Sequence, residues 1–277
     1  MITVPAYAKI NLTLEVLGRR SDGYHEVFTV FQEIGLKDDV LLEEDAEIGC
    51  EPPEKLVLKA AGLLQGLSRC GRGVAIRIDK GIPVAAGLGG SSSDAAATLR
   101  GLDDLWELGL TVDTIVDVGA SVSSDTSFFL YGGTALGEGR GERITLLPPL
   151  PPCWVVLVRP PVDVPPSKTA ALYASLSGAD FTNGQFGRWL IDRLQRGAGV
   201  DHSCLFNAFE RVAFEAFPGL SGYWRRFEEL GADGVHLAGS GPSMFTLVED
   251  EGRAGQLWRR LKNEGLETYL VETRRRA

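Results

Sequence analysis

The stretch Ile82-Pro83-Val84-Ala85-Ala86-Gly87-Leu88-Gly89-Gly90-Ser91-Ser92-Ser93-Asp94-Ala95-Ala96-Ala97 constrains this chain more than any other. Glycines at 87, 89 and 90 let the backbone approach a ligand with no Cβ in the way and reach conformations closed to other residues. The serines and Asp94 stand around the start of a helix that runs to about Trp106, where hydroxyl and carboxylate side chains are favoured. Such a start offers unpaired N–H groups and the positive end of a dipole, and the hydroxyls add donors. The result is a cradle for phosphate oxygens. A flexible flap would need the glycines but not the serines and the helix directly behind them. Neither a Walker A loop nor a Rossmann fingerprint is present, because G-x-x-x-x-G-K-[ST] is absent and the glycine spacing does not fit G-x-G-x-x-G. The residues expected to line this cradle are Pro83, Ala86, Gly87, Leu88, Gly89, Gly90, Ser91, Ser92 and Ser93.

An anion site must be built locally here, since the formal net charge of the chain is −9. Acidic chains repel nucleic acid and anionic membrane surfaces on average, so neither is an expected partner. No apolar run approaches the ~20 residues of a membrane-spanning helix. The start Met1-Ile2-Thr3-Val4-Pro5 lacks a basic region followed by an apolar core, so the expectation is a cytoplasmic protein without a secretory leader. Cys50, Cys70, Cys153 and Cys204 are scattered, with no C-x-x-C and no histidine at ligand spacing, which argues against structural zinc and for reduced thiols. No protein metal site is expected.

Strand patterns cover residues 2–17, 24–30, 36–44, 74–79, 154–158, 235–237, 243–248 and 268–271. Helical spacing covers 54–67, the segment from the serines to Trp106, 112–120, 183–195, 206–214, 220–230 and 254–263. Residues 121–127 read as a loop and 132–141 as a glycine-rich turn region. Pro148-Pro149-Leu150-Pro151-Pro152 blocks helix and ladder bonding alike and marks a boundary between units 1–150 and 151–277. Runs of strands and helices in each half imply an α+β fold of mixed and antiparallel sheets with helices packed on them.

Three segments in order resemble the GHMP family of small-molecule kinases. They are Pro5-Ala6-Tyr7-Ala8-Lys9-Ile10-Asn11-Leu12, the loop from Pro83 to Ala97, and Leu237-Ala238-Gly239-Ser240-Gly241-Pro242-Ser243. Gly18-Arg19-Arg20-Ser21-Asp22-Gly23-Tyr24-His25-Glu26 is similar to one branch of that family. Its acceptor is a cytidine-diphosphate-linked methylerythritol, phosphorylated on the 2-hydroxyl in the non-mevalonate isoprenoid route. The segments from Ser124 to Gly133, Gly139 to Glu142 and Phe206 to Glu210 extend the resemblance over essentially the whole chain. The family usually has Ala-Asp-Val-Pro where this chain has Ser124-Asp125-Thr126-Ser127, Asn-Asp-Leu-Glu where it has Asn207-Ala208-Phe209-Glu210, and Ser where it has Ala238. None of these departures removes a group assigned to catalysis.

The resemblance implies a two-domain GHMP kinase fold and phosphoryl transfer from ATP, accompanied by Mg²⁺, to a small alcohol. Asp125 is the candidate proton acceptor and Lys9 its charge partner. Asn11 is assigned to the acceptor, Tyr24, His25 and Tyr173 to its cytidine end, and Gly239, Ser240 and Gly241 to the substrate side of the cleft. Two other readings compete. One is a kinase of this family for mevalonate or homoserine, which the Gly23-Tyr24-His25 segment disfavours. The other is a nucleotide-binding protein that has lost catalysis, which has no need for both Lys9 and Asp125.

Overall fold

The computed structural model describes residues 1–200 and 202–276; Asp201, and the Ala277 that ends the second expected unit, lie outside them. The elements in order are β1 (Ile2–Arg19), β2 (His25–Asp45), β3 (Ile48–Glu51), α1 (Lys55–Ser68), β4 (Gly73–Asp79), α2 (Gly90–Leu105), α3 (Val112–Val122) and α4 (Thr126–Tyr131). There follow β5 (Thr134–Gly139), β6 (Arg143–Leu146), β7 (Trp154–Arg159), α5 (Lys168–Ser175), α6 (Gln185–Gln195), β8 (Phe206–Asn207), α7 (Glu210–Ala216) and α8 (Leu220–Glu229). The chain closes with β9 (His236–Leu237), β10 (Met244–Val248), α9 (Glu251–Asn263) and β11 (Glu267–Glu272). The fold is α+β, with a seven-stranded sheet and a four-stranded one.

The two strands expected at 24–30 and 36–44 are one strand of 21 residues. Length lets β2 serve three neighbours. It pairs with β1 through His25 to Leu42, with β5 through Val27 to Gln32, and with β4 through Asp39 to Asp45. The turn-like Lys37-Asp38-Asp39 stays extended because the Asp38 carboxylate finds backbone partners in the loop after β4. Its Oδ1 accepts from the N–H groups of Gly81 and Ile82 at 2.6 and 2.7 Å.

Residues 132–141, expected as a turn region, contain strand β5. The glycines there serve close approach: a Cβ on Gly137 would stand 2.5 Å from the Phe31 ring. The expected loop at 121–127 ends inside the short helix α4. The helix expected from Phe206 begins only at Glu210, because Phe206 and Asn207 pair in parallel with Thr13 and Leu14 of β1.

Strand β1 alternates by chemistry. Ala8, Ile10 and Leu12 enter a core shared with Val155 and Leu157 of β7, Phe245 of β10 and Leu190 of α6. Lys9, Asn11, Thr13 and Glu15 point to the other side and are nevertheless buried. A second core lies between the opposite face of the small sheet and α5, α7, α8 and α9, and a third holds α1, α2 and α3 against β2 and β4. The strands before the proline segment build the larger sheet, and those after it build the smaller one, apart from β8, which crosses to the edge of β1. Among the described residues no helix is long and apolar enough to cross a membrane.

Asn207 ties that crossing to the turn between β9 and β10. Its amide donates to the carbonyls of Leu237 and Gly239 at 2.9 and 2.8 Å, and its oxygen accepts from Phe209 N–H at 3.0 Å. Asn207→Ala strands three buried backbone groups, so it is expected to lower stability by at least ~2 kcal/mol. Denaturant unfolding checks this, and a midpoint equal to that of the native protein would contradict it.

Candidate active site

The loop from Lys80 to Gly90 is held at each end. At its start, Lys80 Nζ donates to Asp38 Oδ2 at 2.6 Å and to Asp94 Oδ2 at 2.8 Å, and both carboxylates are fully buried. Further on, Lys9 N–H donates to the Leu88 carbonyl at 3.0 Å and Ser243 N–H to that of Ala86 at 3.3 Å. Gly87 lies so close to the 238–241 turn that a Cβ there would sit on the Ala238 carbonyl. Gly89 caps α2 in the left-handed region at φ 76°, and no side chain caps that helix. The first-turn N–H groups of α2 are therefore left for an anion.

These elements wall a cleft of about 310 Å³. Pro83, Ala86, Gly87, Leu88, Gly89, Gly90, Ser91 and Ser92 line it, as do Lys9, Asn11, Asp125, Tyr173, Gly239 and Ser240. Ser93 does not. Its hydroxyl donates to the Tyr7 carbonyl at 2.6 Å, so it anchors α2 to β1 instead of facing a ligand. Gly241 also lies outside the lining; its carbonyl accepts from Lys168.

Lys9 and Asp125 meet across the cleft with Nζ 3.9 Å from Oδ2. Lys9 is buried on β1, while a third of the Asp125 side chain remains exposed. Burial lowers the pKa of the Lys9 ammonium, and the Asp125 charge works against that shift. Lys9 Nζ donates to Asn11 Oδ1 at 2.7 Å, Asn11 Nδ2 donates to Thr29 Oγ1 at 2.7 Å, and Thr29 in turn donates to the Thr13 carbonyl at 2.6 Å. This chain holds the lysine in one orientation. Asp125 immediately precedes α4, and a second chain fixes its turn. Ser92 and Ser123 share a hydroxyl hydrogen bond of 2.9 Å, and Ser123 and Thr126 share one of 2.7 Å. Thr126, a departure from the family pattern, thus links the phosphate-loop helix to the Asp125 turn. The neighbouring departure, Ser127, buries a hydroxyl with no partner among the described residues.

Of the three aromatic residues assigned to the cytidine end, Tyr173 alone lines the cleft. His25 itself stacks on Tyr173, with centroids 4.8 Å apart and planes 16° apart, and Phe181 meets its edge at 6.1 Å. Phe209 supports Tyr173 edge-on at 4.8 Å. Burial, and then the Arg19 charge, lower the His25 pKa, and its buried Nε2 has no partner among the described residues. Tyr24 is 55% exposed and outside the cleft lining, with the Arg140 guanidinium 4.9 Å from its ring centre. The sequence reading missed Lys80, Arg140, Lys168 and Thr169, which also line the cleft. Arg140 and Lys168 lie in the Gly139 to Glu142 and Lys168 to Tyr173 segments, but nothing local marks them as cleft residues.

The sequence pattern of the GHMP kinases N terminal domain matches residues 55–133, and that of the GHMP kinases C terminal domain matches residues 190–267. A 4-diphosphocytidyl-2-C-methyl-D-erythritol kinase of Dehalococcoides mccartyi is 42% identical over 99% of this chain and 98% of its own. A crystal structure of a 4-(cytidine 5'-diphospho)-2C-methyl-D-erythritol kinase superposes with a TM-score of 0.83 at 32% identity, covering 98% of this chain and 99% of that one. Mevalonate kinase of L. major, solved with R-mevalonate, superposes at 0.71 with 16% identity over 99% and 96% of the two chains, which shows the fold alone.

The Lys80 cluster generates a pH prediction. Burial drives the Asp94 carboxyl up to about 7, against the pull of the Lys80 ion pair. The native protein then keeps a proton that the unfolded chain releases near its ordinary value of about 4, so stability from this group is full below that value and is lost as pH rises through about 7. Asp94→Asn leaves the Lys80–Asp38 pair in place and removes the titration. Its Tm relative to the native protein is expected to improve steadily from about pH 5 to about pH 8. A difference independent of pH would place the retained proton elsewhere.

Proposed function

The chain belongs to the GHMP kinases, in the 4-diphosphocytidyl-2-C-methyl-D-erythritol kinase branch, and we propose that Lys9 and Asp125 carry its transfer of the ATP γ-phosphoryl to the 2-hydroxyl of 4-diphosphocytidyl-2-C-methyl-D-erythritol. The observation that carries the residue assignment is the 3.9 Å approach of these two groups in the cleft that the N-terminus of α2 enters.

Phosphoryl transfer through a loose transition state asks mainly for in-line placement and charge stabilisation. The phosphate loop and the free N–H groups of α2 hold the nucleotide. The acceptor hydroxyl sits between the two side chains, its oxygen bonds to the γ-phosphorus as the bond to the β-bridging oxygen breaks, and its proton passes to Asp125 Oδ2. Products are the phosphorylated acceptor and ADP. Lys9, held by Asn11, places a fixed positive charge where the attacking oxygen and the transferred group become negative, without reorganisation during the step. Mg²⁺ bound together with ATP would supply positive charge against the phosphate oxygens. Asp125 and Glu54 are cleft carboxylates able to contact that ion or its waters, but among the described residues no cluster of three ligating side chains forms a cage for it.

The cytidine end of the acceptor fits the Tyr173–His25 corner. Tyr173 lines the cleft and offers a ring to the base, while His25 stacks on it and carries a buried Nε2 with no partner among the described residues. An acceptor such as mevalonate or homoserine would leave that corner unused.

Asp125→Asn keeps the shape and removes the proton acceptor, and Lys9→Ala removes the charge. Each is expected to lower kcat at least ~10²-fold with little change in ATP affinity. Near-normal turnover by Asp125→Asn in a coupled ADP-release assay would remove it from the base role. Tyr173→Ala and Tyr24→Ala are each expected to weaken the acceptor by about 1–3 kcal/mol while ATP affinity holds. Because Tyr24 is largely exposed, its variant should also keep the native Tm. A Tyr24→Ala protein with unchanged acceptor Kd would leave His25 and Tyr173 as the only base contacts of the three.

A further inference from the structure

Four basic side chains line the cleft, and three have an acid beside them. Lys9 has Asp125 at 3.9 Å, Lys80 has Asp38 and Asp94, and Arg140 has Glu142 at 3.7 Å. The fourth, Lys168 at the start of α5, has no ion pair among the described residues. Its Nζ crosses from the second half of the chain to donate to the Ala85 carbonyl of the phosphate loop at 2.8 Å, and it also donates to the carbonyl of Gly241. An ammonium has three donors, so two carbonyls leave one unclaimed. The charges acting on it are positive. Burial, then Lys9 on β1 and Arg159 on β7, push Lys168 down to about 7. Arg159 is itself satisfied by Glu267 at 3.0 Å.

Holding an unpaired cation among carbonyls and other cations opposes folding, and a lone structural latch would do the same work more cheaply with a neutral donor. The arrangement makes sense if the counter-ion arrives with the substrate. We propose that Lys168 is a phosphate-binding residue of this cleft, bridging the phosphate loop and the 239–241 turn while its charge is completed by a phosphate group of a bound substrate. The inference rests on the kinase reading, which supplies two sources of that chemistry: the phosphates of ATP and the diphosphate of the cytidine-linked acceptor. In either case, binding would lock Ala85 and Gly241 to the same cation that holds the ligand, joining the two walls of the cleft.

K168Q keeps N–H donors for the two carbonyls and removes the charge, and K168R retains the charge. Calorimetric titration of both variants and the native protein with ATP, CDP and cytidine tests the proposal, with Tm measured alongside. K168Q is expected to bind ATP or CDP roughly 10- to 100-fold more weakly, with K168R falling between it and the native protein and cytidine binding unchanged. Loss confined to ATP assigns the nucleotide phosphates, and loss confined to CDP assigns the acceptor diphosphate. Unchanged affinity for both ligands overturns the proposal, as does a loss for cytidine equal to that for CDP, which would mark Lys168 as a structural strap. Native turnover of the cytidine-linked acceptor is measured separately. Its absence would count against the kinase reading, while the phosphate titrations would still decide the role of Lys168.

Discussion

The buried carboxylate of Asp38 sits in the middle of a strand and serves groups 42 to 44 residues away in sequence. It accepts from the N–H groups of Gly81 and Ile82 and from the ammonium of Lys80. These three bonds set where the phosphate loop leaves the large sheet. The Lys80–Asp94 pair then sets where α2 begins, and Ser93 fastens the same turn to β1. Charged groups with no access to water have strong reason to keep their partners, since losing one leaves an uncompensated buried charge. The cradle is thus mounted on rigid elements at both ends, although its middle is glycine.

The same logic explains how an acidic chain makes a site for anions. Net charge matters at long range, where salt screens it, whereas a cleft responds to the groups that line it. Lys9, Lys80, Arg140 and Lys168 converge there from four separate segments, together with the N-terminus of α2. Lys80 is paired with the buried Asp38 carboxylate and also donates to Asp94. Lys9 is held by the Asn11 amide, which in turn donates to the Thr29 hydroxyl, and its ammonium faces Asp125 at 3.9 Å.

Both sheets contribute to the proposed catalytic geometry. Lys9 and Asn11 come from β1 of the large sheet, Asp125 from the turn before α4, and Gly239 from the turn between β9 and β10 of the small sheet. A Cβ on Gly239 would stand 2.8 Å from Lys9 Nζ, so the absence of a side chain there is what lets the two walls meet. The hydroxyl chain from Ser92 through Ser123 to Thr126 gives the Asp125 turn a direct mechanical link to the phosphate loop.

Local chemistry by itself determined the loop, the α+β class, most helices and the chain order of the three motifs that mark the family. These depend on glycine placement, caps and hydrophobic period, all of which act over a few residues. The family pattern added Lys9 and Asp125, whose separation in sequence no local rule bridges. Tertiary structure alone decided the rest. Lys37-Asp38-Asp39 is turn-like in composition at the entry to the strand expected at 36–44, yet partners 42 to 44 residues away from Asp38 hold it within one continuous strand. Residues 132–141 read as a turn because they are glycine-rich, yet the glycines make room for Phe31 beneath β5. Ser93 shares its local pattern with Ser91 and Ser92, and only helical rotation turns its hydroxyl to Tyr7. Lys168 carries no local signature at all, because what distinguishes it is the lack of an acid nearby in space. Sequence spacing records what stands next along the chain; the charge balance of a buried group depends on what the fold brings to it.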